Sequence, residues 1–107
     1  MNLSLKSVDV INLFAEDFAK TRSFYQEILG LPLAFENDNH AVFKVENMIV
    51  SLWDASAAPD LIAAATVADP EAGSRFVLAV CVDDADAACR ELARLGVVLL
   101  NGPVDRP

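Results

Sequence analysis

His40 is the only histidine of the chain, and histidine is the side chain whose ordinary titration falls near neutral pH. It follows Asn39 at the start of a β-rich stretch. Inside a pocket it would serve as a general base or a lone metal ligand. No other histidine, cysteine or carboxylate clusters with it in sequence as a ligand set would, so the plainer expectation is a solvated histidine in a hairpin. The cysteines are Cys81 and Cys89. A nucleophilic thiol needs a basic neighbour to hold it as thiolate, and none is placed near Cys81. Apolar surroundings raise a thiol's pKa, so Cys81 reads first as a small buried hydrophobe. Cys89 reads the same way, on the packed face of a helix. Two cysteines at this spacing do not suggest a disulfide framework. These residues alone assign no catalytic group.

The elements around them are legible. Residues 7–15 (SVDVINLFA) form a β-rich, mostly apolar run, expected to be a buried strand. Asp17 can cap the helix that follows, from Phe18 to about Leu29. Phe18, Phe24 or Tyr25, and Ile28 fall near one face of that helix, and Phe24, Tyr25, Ile28 and Leu29 look like core residues. Gly30 is placed for a left-handed C-cap, and Pro32 prevents the helix from resuming. Three strands are expected next: residues 33–36, then 41–45 after the turn at Asn37, Asp38 and Asn39, then 48–53 after a tight turn at Glu46 and Asn47. Residues 55–74, rich in alanine and interrupted by Pro59, Pro70 and Gly73, read as a linker with a helical turn around residues 59–65.

The pattern then recurs. Residues 75–82 (RFVLAVCV) read as a strand, Asp84 as a cap and residues 85–95 as a helix. Ala85, Ala88 or Cys89, Leu92 and Leu95 form its apolar stripe. Gly96 is the C-cap and residues 97–100 begin a strand. Matching caps at both ends of the two helices make this an internal duplication. The second copy stops short: residues 97–107 hold one strand and a turn at Asn101, Gly102 and Pro103, so two strands are absent. Arg106 and Pro107 are not a natural end for a sheet.

Bulk properties exclude several classes of function. The 107 residues are enough for one domain, with 54% hydrophobic and 22% charged side chains, a globular composition. A net charge of -8 repels phosphate backbones and anionic lipid, so nucleic acid and membrane surfaces are not expected partners. Residues 1–9 lack the basic and apolar regions of a signal peptide, and no apolar run has the length of a membrane span. The expected location is cytoplasmic.

Residues 14–33 (FAEDFAKTRSFYQEILGLPL) resemble the signature of the vicinal-oxygen-chelate superfamily, the group of glyoxalase I, bleomycin resistance proteins, extradiol dioxygenases, fosfomycin resistance proteins and methylmalonyl-CoA epimerase. Residues 81–99 (CVDDADAACRELARLGVVL) resemble the matching part of a second module. The resemblance implies an α+β fold of paired βαβββ modules forming a cup, with the second module incomplete by about two strands. Module one would span about 7–54, the linker about 55–74 and module two about 75–107. It also implies a homodimer, in some members with modules exchanged between chains.

In the enzymes of this family a divalent metal sits in the cup, held by His, Glu or Gln on the first and last strands of each module. Counted from the acidic caps, these positions fall on Val10, Ser51 and Val77, and the fourth lies on the strand that module two lacks. Shifting by one residue would bring Asp9 near, but on the opposite face from Val10. No metal and no cofactor are therefore expected. If Val10, Ser51 and Val77 face the cup, alternation places Asn12, Phe14, Ile49, Trp53, Ala79 and Cys81 there too. The expected ligand-binding residues are Asn12, Phe14, Ser51, Trp53 and Cys81. Phe14 and Trp53 would stack on a planar or cationic ligand, with Asn12 and Ser51 orienting it. The function expected is binding of a small, partly aromatic molecule in a cup between the modules, without chemistry. The alternative is a metal-dependent lyase, isomerase or dioxygenase, resembling glyoxalase I or the extradiol dioxygenases, with ligands from a missing tail or a partner chain.

Overall fold

Asp17 sets the first boundary in the chain. Its carboxylate accepts the backbone N–H of Lys20 at 3.1 Å, which ends strand β1 (Val10–Ala15) and starts helix α1 (Phe18–Ser23). The helix continues as a π-helical turn (Phe24–Ile28) and stops at Gly30, whose φ of 69° lies in the left-handed region that a side chain disfavours. The computed structural model describes residues 3–74 and 76–100.

Three strands follow: β2 (Leu33–Glu36), β3 (His40–Val45) and β4 (Met48–Asp54). The Asn37 side chain accepts the N–H of Asn39 at 3.0 Å and turns the chain between β2 and β3. Glu46 at φ 45° makes the two-residue turn between β3 and β4. The sheet order is β1-β4-β3-β2, with β1 parallel to β4 and the other pairs antiparallel. Helix α1 is the crossover that a parallel pair requires.

Alternation gives the sheet two chemically different faces. One carries Ala15, Ala41, Phe43, Val50 and Leu52, which pack with Phe18 of α1 into the core, flanked by Leu13, Tyr25, Leu31, Leu33 and Val45. Phe43 and Leu52 are fully buried, and burying one such side chain stabilises the fold by roughly 1.5–3 kcal/mol. Two residues of the helical stripe depart from expectation. Tyr25, not Phe24, joins the core, and Phe24 and Leu29 are each about two-fifths exposed. Seven positions after Phe18 is two helical turns, so Tyr25 returns to the same side of the helix.

Beyond β4, Asp54 caps a short 3-10 turn (Ala55–Ala57) by accepting the N–H of Ser56, and α2 (Pro59–Ile62) follows. The helical turn expected at 59–65 is thus present and shorter. The chain divides into two compact units, Met1–Ala72 and Gly73–Pro107.

The second unit is built on α3 (Ala85–Arg94). Asp84 accepts the N–H of Ala87 at 3.0 Å, and Gly96 at φ 88° closes the helix. Ala88, Cys89 and Leu92 form a half-buried stripe, whereas Ala85 and Leu95 are exposed. The strands expected at 75–82 and 97–100 are not formed among the described residues 76–82 and 97–100. A strand exists only through its ladder, and among the described residues of this unit no ladder is formed. Arg75 and the turn at Asn101, Gly102 and Pro103 lie outside the described residues. Among the described residues no helix is long and apolar enough to cross a membrane.

Candidate functional site

The sheet face turned away from α1 carries the chemistry of the first unit. The two-residue turn at Glu46 and Asn47 fixes the β3–β4 register, so His40 pairs with Trp53 and Val42 with Ser51. The parallel ladder sets Asn12 beside Ser51 and Phe14 beside Trp53. Four of the five expected ligand-binding residues, Asn12, Phe14, Ser51 and Trp53, therefore meet on adjacent strands. Cys81, the fifth, lies in the second unit and is exposed. The buried setting expected for it is absent.

His40 is the residue that sequence reasoning undervalued. Its ring lies parallel to that of Trp53, with centroids 3.5 Å apart and planes 9° from coplanar. On its other side is Phe35, centroid to centroid 5.8 Å at 59°. Phe14, Trp53, His40 and Phe35 thus place one ring on each of the four strands. The signal was available: counting outward from the hairpin turn pairs residue 40 with residue 53. Ala41 and Phe43, being core types, send His40 to the opposite face.

Polar groups lie beside the rings. His40 Nε2 is 2.6 Å from Ser51 Oγ, and Ser51 is only 5% exposed. Desolvation by burial pulls the His40 imidazole below its ordinary pKa, so the neutral form dominates at neutral pH. The Trp53 indole N–H donates to Asn12 Oδ1 at 2.9 Å.

The positions that the resemblance assigns to metal ligands do not fit that role. Val10 heads β1 and brings no donor atom. The Ser51 hydroxyl is engaged by His40. Val77 is in the second unit. An imidazole, a hydroxyl and an amide are the donors gathered here, without the carboxylates or further imidazoles that a divalent ion requires. Among the described residues no group of three His, Cys, Asp or Glu side chains is close enough to hold a metal.

A separate depression of about 440 Å³ lies between α1 and the β2–β3 turn, lined by Phe18, Ala19, Arg22, Glu36, Asn37 and Asp38. It contains none of the ring residues, and its Arg22 guanidinium is already engaged by Glu36.

Residues 7–107 match the family model described as Glyoxalase/Bleomycin resistance protein/Dioxygenase superfamily. Over 99 residues the chain is 31% identical to the uncharacterized protein YraH of Bacillus subtilis (strain 168), covering 90% of this chain and 77% of YraH. A glyoxalase/bleomycin resistance protein/dioxygenase from Nocardioides is similar in structure, with a TM-score of 0.85 at 24% identity, over 99% of this chain and 72% of that one. A bleomycin resistance determinant encoded on transposon Tn5 gives 0.58 at 20% identity, over 92% of this chain and 72% of its own. The structural likenesses establish the fold, and the α+β class with its glyoxalase-like βαβββ unit is as the sequence led us to expect. The family-model match spans almost the whole chain, and the protein belongs to the glyoxalase/bleomycin resistance protein/dioxygenase superfamily.

Proposed function

We propose that the open sheet face of the first unit binds a small, partly aromatic molecule without a metal ion and without turnover. The observation that carries this reading is the His40–Trp53 stack with Phe14 and Phe35 to either side and Asn12 and Ser51 alongside. Rings give sequence-independent contact area to any planar apolar body, and a few fixed polar groups orient it. The reading uses Asn12, Phe14, Ser51, Trp53 and His40. Cys81 has no part in it. The donor set supports the absence of a metal, since neither Val10 nor the engaged Ser51 is a ligand. A homodimer is the assembly that goes with this reading, and sedimentation equilibrium returning a monomer would remove that part of it.

Trp53 is the only tryptophan, so its emission reports on the site directly. Titration with naphthalene should quench or shift that emission saturably. The alternative, a metal-dependent lyase, isomerase or dioxygenase, is tested on the same sample. Stoichiometric, tightly bound metal by elemental analysis, together with turnover of a glyoxalase-type substrate, would overturn the binding reading. An emission spectrum that naphthalene leaves unchanged up to its solubility limit would do the same.

A further inference from the structure

Asn12 is exposed on the ring face, and one of its two amide atoms is already committed. The Trp53 indole nitrogen can only donate, so the Asn12 atom 2.9 Å from it must be the carbonyl oxygen. The amide nitrogen, with two hydrogens, is therefore the end left for a ligand. Neither partner is free to reverse this arrangement. Turning the amide over would set two donors against each other, and Trp53 is itself held against His40 by the ring stack. A primary amide, which in solution turns freely, is here fixed in orientation with both N–H groups offered and one of its two oxygen lone pairs occupied, which biases it toward donation.

We infer that Asn12 is the specificity-determining residue of this face, and that it selects planar aromatic molecules carrying a neutral oxygen acceptor, such as an aryl ketone, beside the ring. The inference rests on the binding reading above and narrows its ligand class. The acceptor lies next to the Asn12 amide nitrogen while the ring of the ligand lies along the Phe14–Trp53 side of the row, these two being ladder neighbours two residues along from Asn12 and Ser51. Ser51 lies alongside but is only 5% exposed, so the exposed Asn12 amide is the donor that an acceptor on the ligand meets first. A neutral acceptor is favoured over a carboxylate because the chain carries a net charge of -8. An aromatic amine meets only the remaining lone pair of Asn12 Oδ1, which already accepts the Trp53 N–H, so it gains less than a ketone facing two amide hydrogens.

Three probes of one size separate the terms: naphthalene, 2-acetylnaphthalene and 2-naphthylamine, each titrated against Trp53 emission. The wild-type protein should prefer the acetyl compound over naphthalene by about 5- to 10-fold in Kd, the value of one hydrogen bond. Asn12→Asp keeps an oxygen for the Trp53 N–H and removes both donors. It should abolish the acetyl preference and favour the amine instead. Asn12→Ala should abolish the preference without creating the new one, and a thermal melt of each variant confirms that the fold is retained. Binding of all three probes with equal affinity, or an acetyl preference that survives in Asn12→Asp, overturns the role of Asn12 and leaves the binding reading in place. Failure of every probe to bind overturns both.

Discussion

The hydrogen bond between His40 and Ser51 runs diagonally across the sheet. His40 is the ladder partner of Trp53 and Ser51 is the partner of Val42, yet His40 Nε2 lies 2.6 Å from Ser51 Oγ. The imidazole is thereby fixed by two neighbours on the same strand, a ring through its face and a hydroxyl through its edge. Neither contact alone would set both its tilt and its rotation.

Removing the hydroxyl should therefore loosen the ring and cost stability. Ser51→Ala is expected to destabilise the protein by about 1 kcal/mol, since it leaves the partly buried imidazole nitrogen without its partner. Urea denaturation followed by Trp53 emission measures this. An unchanged midpoint would show that the bond adds nothing in water.

The pH dependence follows from the direction of the His40 shift. Burial lowers its pKa in the folded chain from the ordinary 6.5, so the unfolded chain takes up the proton first as pH falls. The contribution of neutral His40 to stability is complete above the unfolded value and is lost as pH drops through the lower folded value. Between those two values the protein should melt at lower temperature with each step down in pH, and His40→Gln should flatten that part of the curve. The indole face acts in the opposite sense, because it attracts an imidazolium. As His40 is the only histidine, one imidazole titration by NMR decides between them. A midpoint above 6.5 would mean that the stack outweighs desolvation.

Phe43 should be the most sensitive core position tested by truncation. It is fully buried between the sheet and α1, and its ring packs 5.9 Å from that of Tyr25. Phe43→Ala is expected to cost about 3–5 kcal/mol, a large share of what a domain of this size possesses. Phe43→Leu should cost visibly less. Equal midpoints for the two variants in a denaturant series would contradict the packing described.

Helix α3 depends on its cap more than α1 does, because its stripe is only half-buried. Asp84→Ala removes the acceptor for the Ala87 N–H and should cost about 1 kcal/mol, with a measurable loss of helical circular dichroism. Asp84→Asn should lose much less. A spectrum indifferent to both changes would mean that packing, not the cap, holds the helix.

The first unit was readable because its boundaries are local chemistry. Asp17, Gly30, Pro32 and the turn at Glu46 and Asn47 each act within a few residues, and the expected strands agree with β2, β3 and β4 to within one residue at each end. β1 is shorter than the apolar run that suggested it, since its ladder with β4 begins at Val10 opposite Ile49. Face assignment by alternation brought Asn12, Phe14, Ser51 and Trp53 together. His40 was misjudged for lack of one step, carrying the hairpin count across to the opposite strand. The strands expected at 75–82 and 97–100 failed for a different reason. Composition records a preference for extended backbone, but a ladder requires a partner, and that is not a property of the segment itself.

The parallel pairing of β1 with β4 also orders the assembly of the protein in time. β3 and β4 meet across a two-residue turn, so their contacts close a short loop and form early. β1 reaches β4 only after α1 and two intervening strands, and closing that longer loop costs more chain entropy before any contact rewards it. The His40–Trp53 stack belongs to the early hairpin, and the Asn12–Trp53 bond to the late docking of β1. The docking of β1 thus brings Phe14 and Asn12 together to a face on which the His40–Trp53 pair needs only the hairpin.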